Sequence, residues 1–179
     1  MFYFITWNKN KFIEVQSVIQ DIQQLDIDLP ELQEIDAHKI IQAKLLEARK
    51  HYEGAFIVED TSLYLDCLNG LPWPLIKWFL QKMWNEWLFE IAKRFDNYGA
   101  TAKTLIWYGD NKWDIKFFEG ILEWKIIKPE VESDFGRSPI FCPNWYNCSY
   151  AEISIEQKNT MSMRWQALNK LKDFLDNKK

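Results

Sequence analysis

The chain has 179 residues, 47% apolar and 27% charged, which is the size of one domain and enough apolar side chain for a packed core. A net charge of −4 excludes the basic footprint of a nucleic-acid-polymer binder, so an anionic ligand must be met by a few placed cations and a metal. No run of about 18 apolar residues is present to span a membrane. The N-terminus lacks the basic and apolar segments of a signal peptide, so none is expected. Three cysteines, Cys67, Cys142 and Cys148, form no metal-ligand spacing and fit a reduced, cytoplasmic setting.

In chain order, Phe2 to Thr6 reads as a short buried strand, ended by the polar run Asn8-Lys9-Asn10-Lys11. Phe12, Val15, Val18 and Ile19 then recur at helical spacing. Leu29-Pro30-Glu31 is extended, as the residue before a proline should be. A second helix is expected from about His38 to Arg49. Ala55 to Val58 is an apolar strand ending in Glu59-Asp60-Thr61, with strand-like sequence resuming from Ser62 to Cys67. A helical region begins at Leu75 and extends, with breaks, to Phe95.

Thr101 to Trp107 and Trp113 to Glu119 read as a hairpin around Tyr108-Gly109-Asp110-Asn111, and Ile121 to Ile127 as a further strand. Asp134 to Tyr150 is punctuated by Gly136, Pro139 and Pro143 and reads as loop. A last helix runs from about Ser162 to Leu175. Early alternation of strands and helices followed by a meander predicts an α/β fold with a mixed sheet, one domain over residues 1–179 in two lobes.

Three places can carry chemistry. Asn8 to Lys11 joins a strand to a helix N-terminus, where backbone N–H groups and the helix dipole favour an anion; such lysines are also common on solvated surfaces. Glu59 and Asp60 follow an apolar strand, and buried acids are costly unless a metal, a cation or water meets them. Gln157-Lys158-Asn159 and Ser162-Met163-Arg164 open the last helix, as either a ligand-binding segment or a charged N-cap.

Taken together, seven ordered segments carry a resemblance: Thr6-x-Asn8-Lys9-x-Lys11, Leu29-Pro30-Glu31, Val58-Glu59-Asp60-Thr61, Leu68-Asn69-Gly70-Leu71-Pro72, Asp134-Phe135-Gly136, Tyr150-Ala151-Glu152 and Lys158-Asn159-x-x-Ser162-x-Arg164. They span essentially the whole chain, which resembles the inosine triphosphate pyrophosphatases, the non-standard purine nucleoside triphosphate pyrophosphatases. Ile76-Lys77-Trp78-Phe79-Leu80 looks like their eukaryotic branch. The resemblance implies an elongated mixed sheet flanked by helices, with the nucleotide in a cleft between two lobes, and a homodimer.

By the same resemblance, ITP, dITP or XTP would be cleaved to monophosphate and pyrophosphate with Mg²⁺. Lys11, Lys44 and Lys158 would hold the triphosphate, with Thr6, Asn8 and Thr61 shaping its binding. Glu31 and Asp60 would hold the metal, and Asp60, with Glu59 beside it, would activate the attacking water. Phe135 would stack on the base, and Arg164 would donate to its 6-keto oxygen.

Two segments depart from the family pattern. Phe135-Gly136-Arg137-Ser138-Pro139 has Ser138 where an acid is usual, and Ser162-Met163-Arg164 has Met163 where a histidine is usual. Both positions border the base, so a shifted base preference (a modified or pyrimidine triphosphate) stays open, as does a nucleotide-binding protein without catalysis. The composition is also odd: 6 glycines against 10 tryptophans, where glycine ordinarily makes up about 7% of a chain. Trp7, Trp73, Trp124, Trp145 and Trp165 stand where the family has glycine, and Trp84, Trp87, Trp107 and Trp113 have similarly poor settings. UGA is read as glycine in some bacterial lineages and as tryptophan in others; many of these nine positions are expected to be glycines of that kind, the alternative being an aromatic-rich protein with a remodelled cleft.

Overall fold

A computed structural model describes residues 2–27, 34, 36–73, 75–110, 115–131 and 138–178. Its strands are β1 (Phe2–Ile5), β2 (Ile22–Leu25), β3 (Ala55–Leu65), β4 (Pro72–Trp73), β5 (Gly99–Gly109), β6 (Ile115–Ile126) and β7 (Phe141–Pro143). Its helices are α1 (Lys9–Val18), α2 (Ala37–His51), α3 (Ile76–Arg94), α4 (Ile155–Met161) and α5 (Met163–Asn177). The strands join in one sheet of order β2-β1-β3-β5-β6-β7, with β4 paired to β3. β1 runs parallel to β2 and β3, whereas β4 and β7 are antiparallel to their neighbours, so the sheet is mixed, as the sequence predicts.

The helix starts follow from short polar side chains. The Asn8 carboxamide oxygen accepts from the Lys11 N–H and opens α1, and Asp36 accepts from the His38 N–H and opens α2. Ser154 and Gln157 form a reciprocal capping box on α4.

Two compact units divide the described chain. The first holds residues 1–61, 104–120 and 163–179, and its core shows the period-two logic of a strand. Phe4, Ile57, Ile106 and Tyr108 face one way, onto Val15 of α1 and Ala167, Leu168 and Leu171 of α5. Ile5, Phe56, Val58, Leu105 and Trp107 face the other way, onto Ile41, Leu45 and Ala48 of α2. Burying one such aliphatic side chain contributes about 1.5–3 kcal/mol. The second unit holds residues 62–103 and 121–162; there Trp124 packs edge-on against Phe141 and Tyr150, with ring centroids 5.5 and 4.8 Å away.

Three features differ from the sequence reading. β3 is uninterrupted for 11 residues, so Glu59 and Asp60 lie within a strand rather than at its end. The stretch from Ile121 is no separate strand; it continues β6 through Gly120. β2, β4 and β7, of four, two and three residues, are too short to show periodicity in sequence.

Gly120 explains itself. A Cβ there would lie 1.7 Å from the Met163 carbonyl oxygen and 3.0 Å from the Ala167 nitrogen, so only glycine lets β6 approach the first turn of α5 this closely.

The tryptophans divide. Trp84 interrupts α3 with φ 56° and ψ 172°, a backbone region that is essentially glycine's own. Trp7, Trp84, Trp87 and Trp145 are 64–77% exposed. Trp107 and Trp124 are buried and packed on aromatic rings, yet both indole N–H groups lack a hydrogen-bond partner. Trp113 lies outside the described residues.

Candidate active site

The loop after β1 is ordered by its own side chains. Thr6 donates its N–H to the Leu25 carbonyl (3.2 Å), and its hydroxyl accepts from the Asn8 N–H (3.1 Å). The Gln24 amide donates to the Thr6 carbonyl at 2.8 Å. Asn8 then caps α1, which places Lys11 one turn into the helix. The first N–H groups of α1, left without intrahelical partners, thus face the end of this loop.

Alternation along β3 separates the two acids. Glu59 shares a face with Ile57, toward α1 and α5; Asp60 shares a face with Val58, toward α2. Glu59 is met by four donors: Lys11 Nζ at 3.0 Å, Arg164 Nε at 2.7 Å, Arg164 Nη2 at 3.0 Å and the Thr61 hydroxyl at 3.3 Å. Its side chain is 1% exposed. Asp60 has Lys44 of α2 at 3.7 Å and an 18% exposed side chain.

These surroundings push the two carboxyls in opposite directions. Burial opposes the charge on Glu59, but Arg164 and Lys11 together outweigh it and hold the group well below the ordinary carboxylate range. Burial also dominates at Asp60; there Lys44 and Lys11 do not make up the cost, and the adjacent Glu59 charge adds to it, so its pKa is raised. Glu59 is a saturated anion that anchors two cations. Asp60 is the more basic carboxylate.

Arg164, in the first turn of α5, uses Nε and Nη2 on Glu59 and Nη1 on Glu14 at 2.5 Å. Burial works against its charge, and Glu59 and Glu14 more than compensate, so it stays a cation. A guanidinium carries five N–H groups, so two are left for another acceptor. Met163 beside it is buried.

The structure therefore brings Thr6, Asn8, Lys11, Lys44, Glu59, Asp60, Thr61, Met163 and Arg164 into the first unit. Ser138 and Lys158 belong to the second: Ser138 is buried, and the Lys158 ammonium lies 5.0 Å from the centroid of the Tyr150 ring. Glu31 and Phe135 lie outside the described residues. Among the described residues no group of three or more His, Cys, Asp and Glu gathers as a metal site, and no helix is long and apolar enough to cross a membrane.

Two participants escaped the sequence reading. Glu14 follows Lys11 by three residues, a spacing that puts both on one helical face. Thr104 is a lone hydroxyl between Lys103 and the apolar run Leu105-Ile106-Trp107; it is fully buried and 3.1 Å from the Thr61 hydroxyl.

Fold and site together define a mixed-sheet α/β protein with paired cations and carboxylates beside a capped helix N-terminus. Solved structures share this fold: a Staphylococcus aureus Ham1 protein (22% identity, TM-score 0.81, all of both chains covered) and a Coxiella burnetii HAM1 protein (22%, TM-score 0.80, 98% of each). A curated relative from Schizosaccharomyces pombe, named inosine triphosphate pyrophosphatase, is 36% identical over 181 residues, covering 98% of this chain and 95% of the relative. The Ham1 family model matches residues 2–174. The chain belongs to the Ham1 family.

Proposed function

We propose that this protein hydrolyses ITP, dITP and XTP to the nucleoside monophosphate and pyrophosphate, as one domain spanning residues 1–179. The observation that carries the reading is the division of labour on β3: Glu59 is consumed in holding Lys11 and Arg164, while Asp60 on the opposite face has a raised pKa and Lys44 at 3.7 Å. The S. pombe relative's name supplies the substrate class.

In this reading the triphosphate meets the N-terminus of α1 and the ammonium groups of Lys11 and Lys44, each of which has donors beyond the one given to its carboxylate. Thr6 and Asn8 hold the loop in shape, and by the family resemblance Lys158 would supply a third cation. Asp60 takes the proton of the water that attacks the α-phosphorus. Its carboxylate oxygens are hard donors suited to Mg²⁺, and by the family resemblance Glu31 would be the second carboxylate. A metal held there would supply charge neutralisation for the triphosphate. Arg164 has two remaining N–H groups for the 6-keto oxygen; by the family resemblance Phe135 would stack on the base, and Ser138 and Met163 would border it. A 6-amino group would leave those donors unpaired, a penalty of about 1–3 kcal/mol per group. The three cysteines, all free, support a cytoplasmic setting; the homodimer rests on the family resemblance alone.

Product analysis tests the proposal. With Mg²⁺, ITP should yield pyrophosphate and IMP, and ATP and GTP should be poor substrates. Orthophosphate, or equal rates for all three, would overturn it. Since Ser138 and Met163 depart from the family, dUTP belongs in the same assay: faster turnover of dUTP than of ITP would establish the shifted base preference.

A further inference from the structure

Thr104 on β5 is 0% exposed, and its hydroxyl lies 3.1 Å from that of Thr61, which in turn lies 3.3 Å from Glu59 Oε1. The direction of this chain follows from proton counting. Glu59, clasped by Lys11 and Arg164, is a carboxylate and can only accept. The single Thr61 proton must therefore point at Glu59. The Thr61 oxygen, its proton already committed, can only accept from Thr104, whose proton thus points at Thr61. We propose that Thr104 is a positioning residue: its hydroxyl fixes Thr61 on Glu59 and so steadies the anchor that holds Lys11 and Arg164. Thr61 then belongs to the anchor rather than to the triphosphate, because its proton is spent on Glu59.

The kinetic consequence rests on the pyrophosphatase reading; the stability consequence does not. Thr104→Val keeps the shape and removes the donor. KM for ITP should rise about three- to tenfold, the worth of one hydrogen bond, with kcat within about twofold because Asp60 is untouched. Thr104→Ser should restore the parental KM. An unchanged KM in the valine variant, or a serine variant as impaired as the valine one, would overturn the proposal. Thermal unfolding supplies an independent cycle. Thr104→Val should lower Tm in the parent but raise it in a Thr61→Val background, where it removes a buried donor with nothing to bond. Additive losses would refute the chain. If the parent fails to turn over ITP, the functional reading falls, and this reversal of sign still decides the role of Thr104.

Discussion

Replacing Arg164 by methionine removes one side of a buried ion pair while keeping much of the volume. Glu59 is left with a 1% exposed carboxylate, met by Lys11 at 3.0 Å and the neutral Thr61 hydroxyl at 3.3 Å. Breaking a buried pair in this way costs about 3–5 kcal/mol, chiefly from the uncompensated charge. The surviving lysine places the effect near the lower end, and Glu14, 31% exposed, adds little because water replaces its partner. For a chain of this length each kcal/mol moves Tm by about 2–4 °C, so a fall of about 6–12 °C is expected at neutral pH. The pH dependence follows from the direction of the Glu59 shift. Its folded pKa is depressed, so its stabilisation is complete above the ordinary carboxylate range and is lost as pH falls through that range toward the folded value. In the variant the folded value rises, and the protonated acid no longer needs a cation. The gap between parent and variant should therefore narrow steadily at acid pH. Thermal scans at about pH 7.5 and about pH 4 measure it. A fall below about 2 °C at neutral pH, or a gap that does not narrow, would refute the argument.

Trp84→Gly should stabilise the protein: relief of strain in this backbone region is worth about 1–3 kcal/mol, against about 0.5–1 kcal/mol for the added chain freedom. The indole is 69% exposed, so little packing is lost; an unchanged or lower Tm would tell against a glycine-type position. Trp7→Gly should lower KM for ITP by clearing the loop between Thr6 and Asn8, whereas an unaltered KM would show that the indole stands clear of the phosphates. Gly120→Ala should cost about 1–3 kcal/mol, since backbone atoms of α5 must move away from a Cβ set 1.7 Å from Met163 oxygen. Denaturant unfolding checks this, and an alanine variant as stable as the parent would mean that β6 and α5 do not approach this closely.

The sequence reached furthest where local chemistry decides the outcome. The run from Asn8 to Lys11 marks a helix start, and the helical period of α5 shows in Ala167, Leu168 and Leu171, the residues that pack in the core. The ordered motifs were enough for the family. What stayed hidden depends on long-range placement. Glu59 and Asp60 look like a pair at a strand end, yet they face opposite sides of a continuous strand with different cations. Alternation along the strand sets them apart, but the cations that make their surroundings differ, Lys11, Lys44 and Arg164, lie 16 to 105 residues from their partners in sequence. Glu14 and Thr104 acquire meaning only once α1, α5 and β5 are folded around β3. Gly120 likewise reads as an ordinary strand glycine until the first turn of α5 is seen against it.

The central claim is that Asp60, not its saturated neighbour, performs the chemistry. Its most direct test is single-turnover release of pyrophosphate from ITP by Asp60→Asn. The rate should fall by about 100-fold or more, the scale of a lost general base, with the thermal transition intact. A near-parental rate would contradict the assignment and pass the role to another group.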